Sequence, residues 1–466
     1  MKPADRKRWQ ALATVVLSER AKFTTAKWIP HFKRLRLAIQ RHRHVLEDIG
    51  APPAAGDPEP RELLVWAWCV LMAAPENTSQ FYTRIREITD DGRGLQDEAK
   101  QLRSRGYAMR GLDTSPEMQM RWLGGLIRAI DADIAGVEEW PRPLSGWRSD
   151  DWRPAGYPCF VIPVRREFRA EDGKERERRG MLQHAIVPAV LAGLEVHLAL
   201  HPDVNPKGTA RAWTYGAAVF DGLTIDVDRI GDDAFRLAGA PLHDEGGAIA
   251  GHLEQALSAG CDVLAWPELT VPQERLRAIK AALRSDPLAD PRRIPLSVAG
   301  SWHVEIDGRQ VNRTEILHGR GRPLASYDKR RQFTFERRHE EIVAGERLLV
   351  IVTEERLISV AICRDFCDDC ADDVYDWLNV DLVLVPSMGD AKTLEAQRRS
   401  AKEMQSRQGA VTVLVQQVPV ETGEALKKDS PAAYSFASPP QEVGGKPVRP
   451  PADRQDQPFR AIRARR

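Results

Sequence analysis

The feature that most constrains this chain is a series of short apolar runs in its second half. They read "CDVLAWPEL" (261–269), "LLVIVT" (348–353), "LISVAIC" (357–363), "DLVLVPS" (381–387) and "VTVLVQQ" (411–417). Runs of Val, Ile and Leu without polar alternation belong to strands covered on both faces. Between such runs lie "AIAGHLEQALSAG" and "PQERLRAIKAAL", where Ile249, Leu253 and Leu257, and then Leu276, Ile279 and Leu283, recur at helical spacing. Strands alternating with helices specify an α/β fold, with sheets buried on both faces or paired into a sandwich.

About residues 1–150 have a different texture and read as a helical accessory domain. "HFKRLRLAIQRHRHVLEDIG" places Phe32, Leu35, Ile39 and Leu46 near one face and stops on Gly50, before the Pro-rich break "APPAAGDPEP". "RELLVWAWCVLMAA" is apolar nearly all round, as a buried helix is. "TSPEMQMRWLGGLIRAIDADI" opens with a capping signal from Thr114 to Glu117. Residues 151–212 read as a connecting segment with strands and 213–440 as the α/β domain. The Pro/Arg-rich tail, 441–466, reads as extended or disordered.

Composition excludes several functions. The 68 basic and 67 acidic residues nearly cancel, so no global field favours nucleic acid or a membrane surface. No window approaches the roughly 20 apolar residues of a transmembrane helix. The start, "MKPADRKRWQALATVVLSERAKF", reads as an amphipathic helix rather than a signal peptide. Six cysteines in 466 residues do not make a disulfide framework, so a reducing cytoplasm is expected. The basic stretch around Lys27, Lys33, Arg34, Arg36, Arg41 and Arg43 reads as a solvated helix face before it reads as a nucleic-acid contact. His42 and His44 share no helix face with a third ligand, so no metal is expected there.

Three of the cysteines stand together in "SVAICRDFCDDC", as Cys363-x3-Cys367-x2-Cys370. That spacing matches the iron–sulfur motif of radical SAM enzymes. However, only 96 residues follow Cys370, and Asp365, Asp368, Asp369 and Asp372 would crowd an already anionic cluster. A zinc site would need a fourth ligand, and no His or Cys lies downstream. A disulfide conflicts with the expected compartment. The remaining reading is a nucleophile: Cys363 ends an apolar strand, where a thiol is held rigidly and the following N–H groups can face an oxyanion. A thiol with a reference pKa of about 8.5 needs a base or cation beside it. Two other strand ends supply candidates: Glu268 in "AWPEL", as helix cap or general base, and Lys329 in "SYDKRRQF".

Together, "WPE", "YDKR" and "AICRD" resemble the nitrilase (carbon–nitrogen hydrolase) superfamily in order and spacing. The run "SVAGSWHVEIDGRQVNRTEILHGRGRPLASYDKRRQF" is similar to the family's path from a "GS" strand to the Lys, with Gly300, Ser301, Gly308, Asn312, Gly321 and Lys329 in register. The resemblance covers about residues 213–440 and implies a four-layer αββα sandwich, here preceded by a mainly helical domain, and a dimer. It implies a thiol hydrolase of amides or nitriles without a cofactor: Glu268 as base, Cys363 as nucleophile and Lys329 stabilising developing charge. A second carboxylate follows in many members. Alignment places Arg338 at its position, with Glu336, Glu340 and Glu341 as neighbours, of which Glu336 or Glu340 is preferred for the role. Arg364 replaces the family's aromatic residue after the Cys, and Gln416-Gln417 its final Asn. The competing reading is a non-catalytic protein of the same fold whose helical domain engages a partner.

Overall fold

A computed structural model describes residues 3–19, 21–88, 93–107, 115–138, 148–164, 181–201, 213–284, 293–335, 337–367, 374–425, 431–438, 442–443, 446–447, 454–455 and 457–464. The chain is α/β, with two large sheets packed face to face between helical layers.

The helical part is built around Pro60–Met72, which is buried continuously from Glu62 to Met72. Its surroundings explain why it is apolar all round. Pro3–Glu19 lays Trp9, Leu12, Val16 and Leu17 against it, with Trp9 stacked on Trp66 at 4.9 Å. Thr25–Arg41 contributes Trp28, Phe32, Leu35 and Ile39, and Trp28 Nε1 donates to the Val70 carbonyl (2.8 Å). Pro116–Val137 closes the bundle with Leu123, Leu126, Ile127 and Ile130. Its N-cap is Ser115, whose hydroxyl accepts from Met118 N, with Pro116 at the first helical position. The expected cap, Thr114, lies outside the described residues.

A two-stranded hairpin, Cys159–Pro163 with His184–Pro188, joins this bundle to the rest. Because side chains alternate across a strand, Cys159, Val161 and Ile186 enter the helical core, whereas Phe160, Ile162, Ala185 and Val187 enter the core beside the larger sheet. The joint is also polar. Buried His184 lies between Asp131 Oδ1 (2.9 Å, Nδ1) and Glu138 Oε2 (2.7 Å, Nε2), and Asp131 Oδ2 accepts from Leu182 N (2.6 Å) and Gln183 N (2.8 Å).

The eight-stranded sheet has Arg347–Val352, Leu357–Val360, Leu382–Met388 and Val411–Gln417 at its centre. The seven-stranded sheet centres on Trp213–Ala218, Val263–Ala265, Leu296–Val298 and Arg309–His318. Between them Tyr215, Val263, Val298 and Ile316 meet Ile351, Ile358, Val360, Leu384 and Val413. Helix Ala391–Gln408 covers one outer face, and helices Glu245–Ser258 and Gln273–Arg284 cover the other, giving the αββα order. Each apolar strand therefore meets a layer on both faces.

Two sequence readings are corrected. Residues 151–212 are more than a connection, because Leu194–Leu200 runs parallel to Arg347–Val352 within the large sheet. The tail is not wholly unstructured: Phe459–Ala464 pairs antiparallel with Trp213–Ala218, burying Phe459 and Ile462. Backbone pairing supplies what its sparse apolar content does not. Within the run "LSVAGSWHVEI", two strands form, Leu296–Val298 and Trp302–Ile306. Gly300 separates them at φ +54°, and a Cβ there would lie 2.4 Å from the Pro267 carbonyl oxygen. Among the described residues no helix is long and apolar enough to cross a membrane.

Removing one partner from the buried joint leaves the others desolvated and uncompensated, at about 3–5 kcal/mol. Asp131→Ala is therefore expected to lower stability by that amount in urea unfolding followed by Trp fluorescence. A loss below about 1 kcal/mol, the range of exposed pairs, would show that the joint contributes packing alone.

Candidate active site

Three strand ends converge at one edge of the sandwich. Glu268 follows Val263–Ala265, Lys329 follows Pro323–Asp328, and Cys363 follows Leu357–Val360 at the start of a 3-10 turn, Cys363–Phe366. Each is 1% exposed. Cys363 sits at φ +46°, a left-handed conformation that a non-glycine residue holds only when its surroundings impose it. The imposing contacts are on its carbonyl, which accepts from Gln397 Nε2 (3.1 Å) and the Cys367 thiol (3.8 Å).

The Lys329 ammonium lies 2.7 Å from Glu268 Oε1 and 2.5 Å from Glu340 Oε2. Asn312 Nδ2 bridges the same two carboxylates, donating to Glu268 Oε1 (3.0 Å) and Glu340 Oε1 (2.8 Å), and its carbonyl accepts from Lys329 N (2.8 Å). The Met388 peptide couples base to thiol: its N–H donates to Glu268 Oε2 (3.0 Å) and its carbonyl accepts from Cys363 Sγ (3.4 Å). Base and thiol are thus linked through the two backbone polar groups of one residue. Gly345 N donates to the Lys329 carbonyl (2.9 Å), and a Cβ at 345 would lie 2.2 Å from the Asp328 carbonyl oxygen, so only glycine fits.

Of the two candidate second carboxylates, Glu340 faces Lys329, while Glu336 lies outside the described residues. Arg338, at the aligned position, is two residues short because the chain turns through Arg337 at φ +70°. Strand Arg338–Glu340 then pairs with Ala234–Gly239 in a separate four-stranded sheet. That sheet also delivers Leu237 N to His303 Nδ1 (3.0 Å). The accepting Nδ1 leaves Nε2 as the nitrogen that donates to Glu340 Oε1 (3.0 Å).

The two carboxylates are driven in opposite directions. Burial raises the Glu268 carboxyl above the ordinary range, Lys329 opposes this incompletely, and Glu340 adds to it. Burial alone would raise Glu340 too, but Lys329 and the His303 hydrogen bond bring it down to about 2. Burial also opposes charge on Lys329, yet the flanking carboxylates hold it well above its usual value. The Cys363 thiol is pushed up by burial and then by Glu268, so its proton leaves only with a base in contact. Carboxylates separated in this way divide their work: one exchanges protons and the other remains an anion.

Several residues at the site carried no role in the sequence reading. Asp365, counted there only as a charge near a metal cluster, is a buried brace. It accepts from Tyr327 OH (2.8 Å), Arg331 N (2.9 Å) and Arg330 N (3.1 Å), fastening the chain after Lys329 to the Cys363 turn. Its position in "AICRD" was the available signal. Gln397 and His303 had none, the first being one polar residue on a polar helix and the second one imidazole in a strand. Gln417 ends its strand by bonding both the N–H and the carbonyl of Phe220 (3.1 Å each). Cys367 packs against the Cys363 turn, and Cys370 lies outside the described residues.

No protein-family model matches the sequence, and no curated protein matches it. Solved structures do resemble it. An amidase from Nesterenkonia sp. is similar at 18% identity over 56% of this chain and 94% of its own, with a TM-score of 0.37. A CN-hydrolase superfamily protein from Xanthomonas campestris is similar at 15% identity over 54% and 90%, also at 0.37. Glutamine-dependent NAD+ synthetase from Acinetobacter baumannii is similar at 17% identity over 54% of this chain and 45% of its own, again at 0.37. At these scores the functional reading rests on the geometry of the site.

The opposite shifts have opposite consequences for stability. Glu340 is depressed below the unfolded value of about 4.3, so its contribution is present above that pH and is lost as pH falls through its folded value of about 2. Glu268 is raised, so it protonates before the pH reaches the ordinary carboxylate range, and the relief of its burial penalty lies above that window. Wild-type protein is therefore expected to lose stability between about pH 4.3 and 2 with a component that Glu340→Gln lacks. Urea midpoints across that range measure it, and parallel losses in the two proteins would refute the assignment of Glu340 as a permanent anion.

Proposed function

We propose that this chain is a thiol hydrolase of the nitrilase type, cleaving a non-peptide carbon–nitrogen bond of an amide or nitrile through a Cys363 thioester. The observation that carries this reading is the Lys329 ammonium held between two buried carboxylates of opposite pKa direction, with one of them linked through Met388 to a thiol at a strained strand end.

In the first half-reaction Glu268 takes the Sγ proton as sulfur bonds to the substrate carbon. The carbon–heteroatom π pair moves onto oxygen or nitrogen, where Lys329 and the Arg364 backbone N–H stabilise it. For an amide, the tetrahedral adduct collapses, the C–N bond breaks, and Glu268 returns its proton to the departing amine. In the second half-reaction Glu268 accepts a proton from water, which attacks the thioester. The C–S bond breaks, the acid leaves, and the proton returns to sulfur. Glu340 does not exchange protons. It keeps Lys329 charged and aimed while Glu268 alternates between its two forms, which is why two carboxylates are needed.

The non-catalytic alternative draws on the unsettled second carboxylate and on Arg364 after the Cys, and Glu340 in contact with Lys329 speaks against the first of these. A reducing compartment such as the cytoplasm suits the five described free thiols, Cys69, Cys159, Cys261, Cys363 and Cys367.

Ammonia release across a panel of primary amides and nitriles is expected for the wild type and absent in Cys363→Ala. Lys329→Ala removes an oxyanion donor worth about 10²–10³ in kcat, with KM nearly unchanged. Because that change also leaves two carboxylates facing each other, far-UV circular dichroism must show it folded. As an independent check, iodoacetamide is expected to label Cys363 selectively at neutral pH and to do so far more slowly in Glu268→Gln. Full ammonia release by Cys363→Ala would overturn the reading.

A further inference from the structure

Outside the active site, one group of side chains has the composition and spacing of a metal centre. His42 stands at the junction of helices Thr25–Arg41 and Arg43–Glu47, closing one and opening the other, and His44 lies in the first turn of the second. The sequence reading expected no metal there because no third ligand shares that helix face. The structure supplies one from the Pro-rich loop: Asp57 Oδ1 lies 3.1 Å from His42 Nδ1, and Asp57 Oδ2 lies 2.8 Å from His44 Nε2. All three ligand atoms fall within 4.8 Å of one another. We propose that His42, His44 and Asp57 bind a divalent transition-metal ion of the zinc class.

Zinc takes bonds of about 2.0–2.1 Å to imidazole nitrogen and about 2.0–2.2 Å to carboxylate oxygen, so neighbouring ligand atoms in a tetrahedral shell stand about 3.3–3.5 Å apart. The two N···O separations, 3.1 and 2.8 Å, are a few tenths of an ångström shorter, so a modest spreading of the three side chains separates this arrangement from a coordinated one. Two imidazoles and one carboxylate suit borderline ions rather than calcium or magnesium, which prefer all-oxygen shells. His42 is 3% exposed and anchors the site, whereas His44 and Asp57 open it to water for the remaining positions.

The surroundings hold the ligands and limit repulsion. Asp57 is fixed through its backbone, where its carbonyl accepts from Arg6 Nη2 (3.1 Å) and its N–H donates to the Ala54 carbonyl (2.9 Å). The nearby guanidiniums are matched by acids: Arg6 with Glu62 (2.9 Å), Arg41 with Asp5 (3.9 Å) and Arg43 with Glu47 (4.0 Å). With neutral imidazoles the site contributes one negative charge toward a divalent ion. The role is structural: the ion clips the loop that leads into the central helix Pro60–Met72 to the end of the preceding helix pair.

The same distances describe plain histidine–carboxylate hydrogen bonds, and metal uptake separates the two. Full-length protein stripped with EDTA and dialysed against zinc chloride is expected to retain one equivalent by elemental analysis and to melt at a higher temperature than the stripped form. His44→Ala and Asp57→Asn, both solvent-facing changes, are each expected to lose that equivalent and the thermal shift, while Cys363→Ser retains both. Cobalt(II) in the site should give visible d–d bands without a thiolate charge-transfer band. No uptake by the stripped wild type, uptake surviving in both His44→Ala and Asp57→Asn, or uptake lost in Cys363→Ser would each overturn the proposal.

Discussion

A lysine ammonium buried between two carboxylates organises this molecule. Taking three charges out of water is costly, and the arrangement holds only because each carboxylate has further donors: Asn312 for both, Met388 N for Glu268, and His303 with Phe333 N for Glu340. The donors are distributed unequally, and that asymmetry drives the two carboxyls in opposite pKa directions. Glu340 receives enough to remain ionised; Glu268 receives less and also faces Glu340, so it can take a proton.

The rest of the fold can be understood as what such a cluster requires. Its members arrive from both large sheets and from a small third sheet, so sandwich packing sets their separation. Glycines at 300 and 345 let backbone pass where a Cβ would collide with carbonyls beside Glu268 and Lys329. Asp365 ties the Lys329 side of the site to the Cys363 turn, and Gln397, reaching in from the outer helix, holds the Cys363 carbonyl and the Ser387 hydroxyl. A thiol in a left-handed conformation persists because these contacts surround it.

Much of this was legible in the sequence where the signal is local. Apolar strands announce burial on both faces, and residues just beyond their ends announce an exposed edge, which is how Glu268, Lys329 and Cys363 stand out. Glu340 could be narrowed only to a pair, because its identity depends on a left-handed turn at Arg337 and on pairing with Ala234–Gly239, a strand about a hundred residues earlier. The tail misled for a related reason: Phe459–Ala464 has few apolar residues, and its order comes from a ladder with a distant strand.

The sequence by itself determined that apolar strands buried on both faces alternate with helices and that Glu268, Lys329 and Cys363 stand at strand ends, since these follow from periodicity and from residue types at short range. Tertiary structure alone decided which carboxylate faces the lysine, which of the two carries a proton, and that Asp57 meets His42 and His44. Each of those depends on burial and on distances of a few ångströms between segments far apart in the chain. Coulomb energy and desolvation are properties of such distances, and no single stretch of sequence contains them.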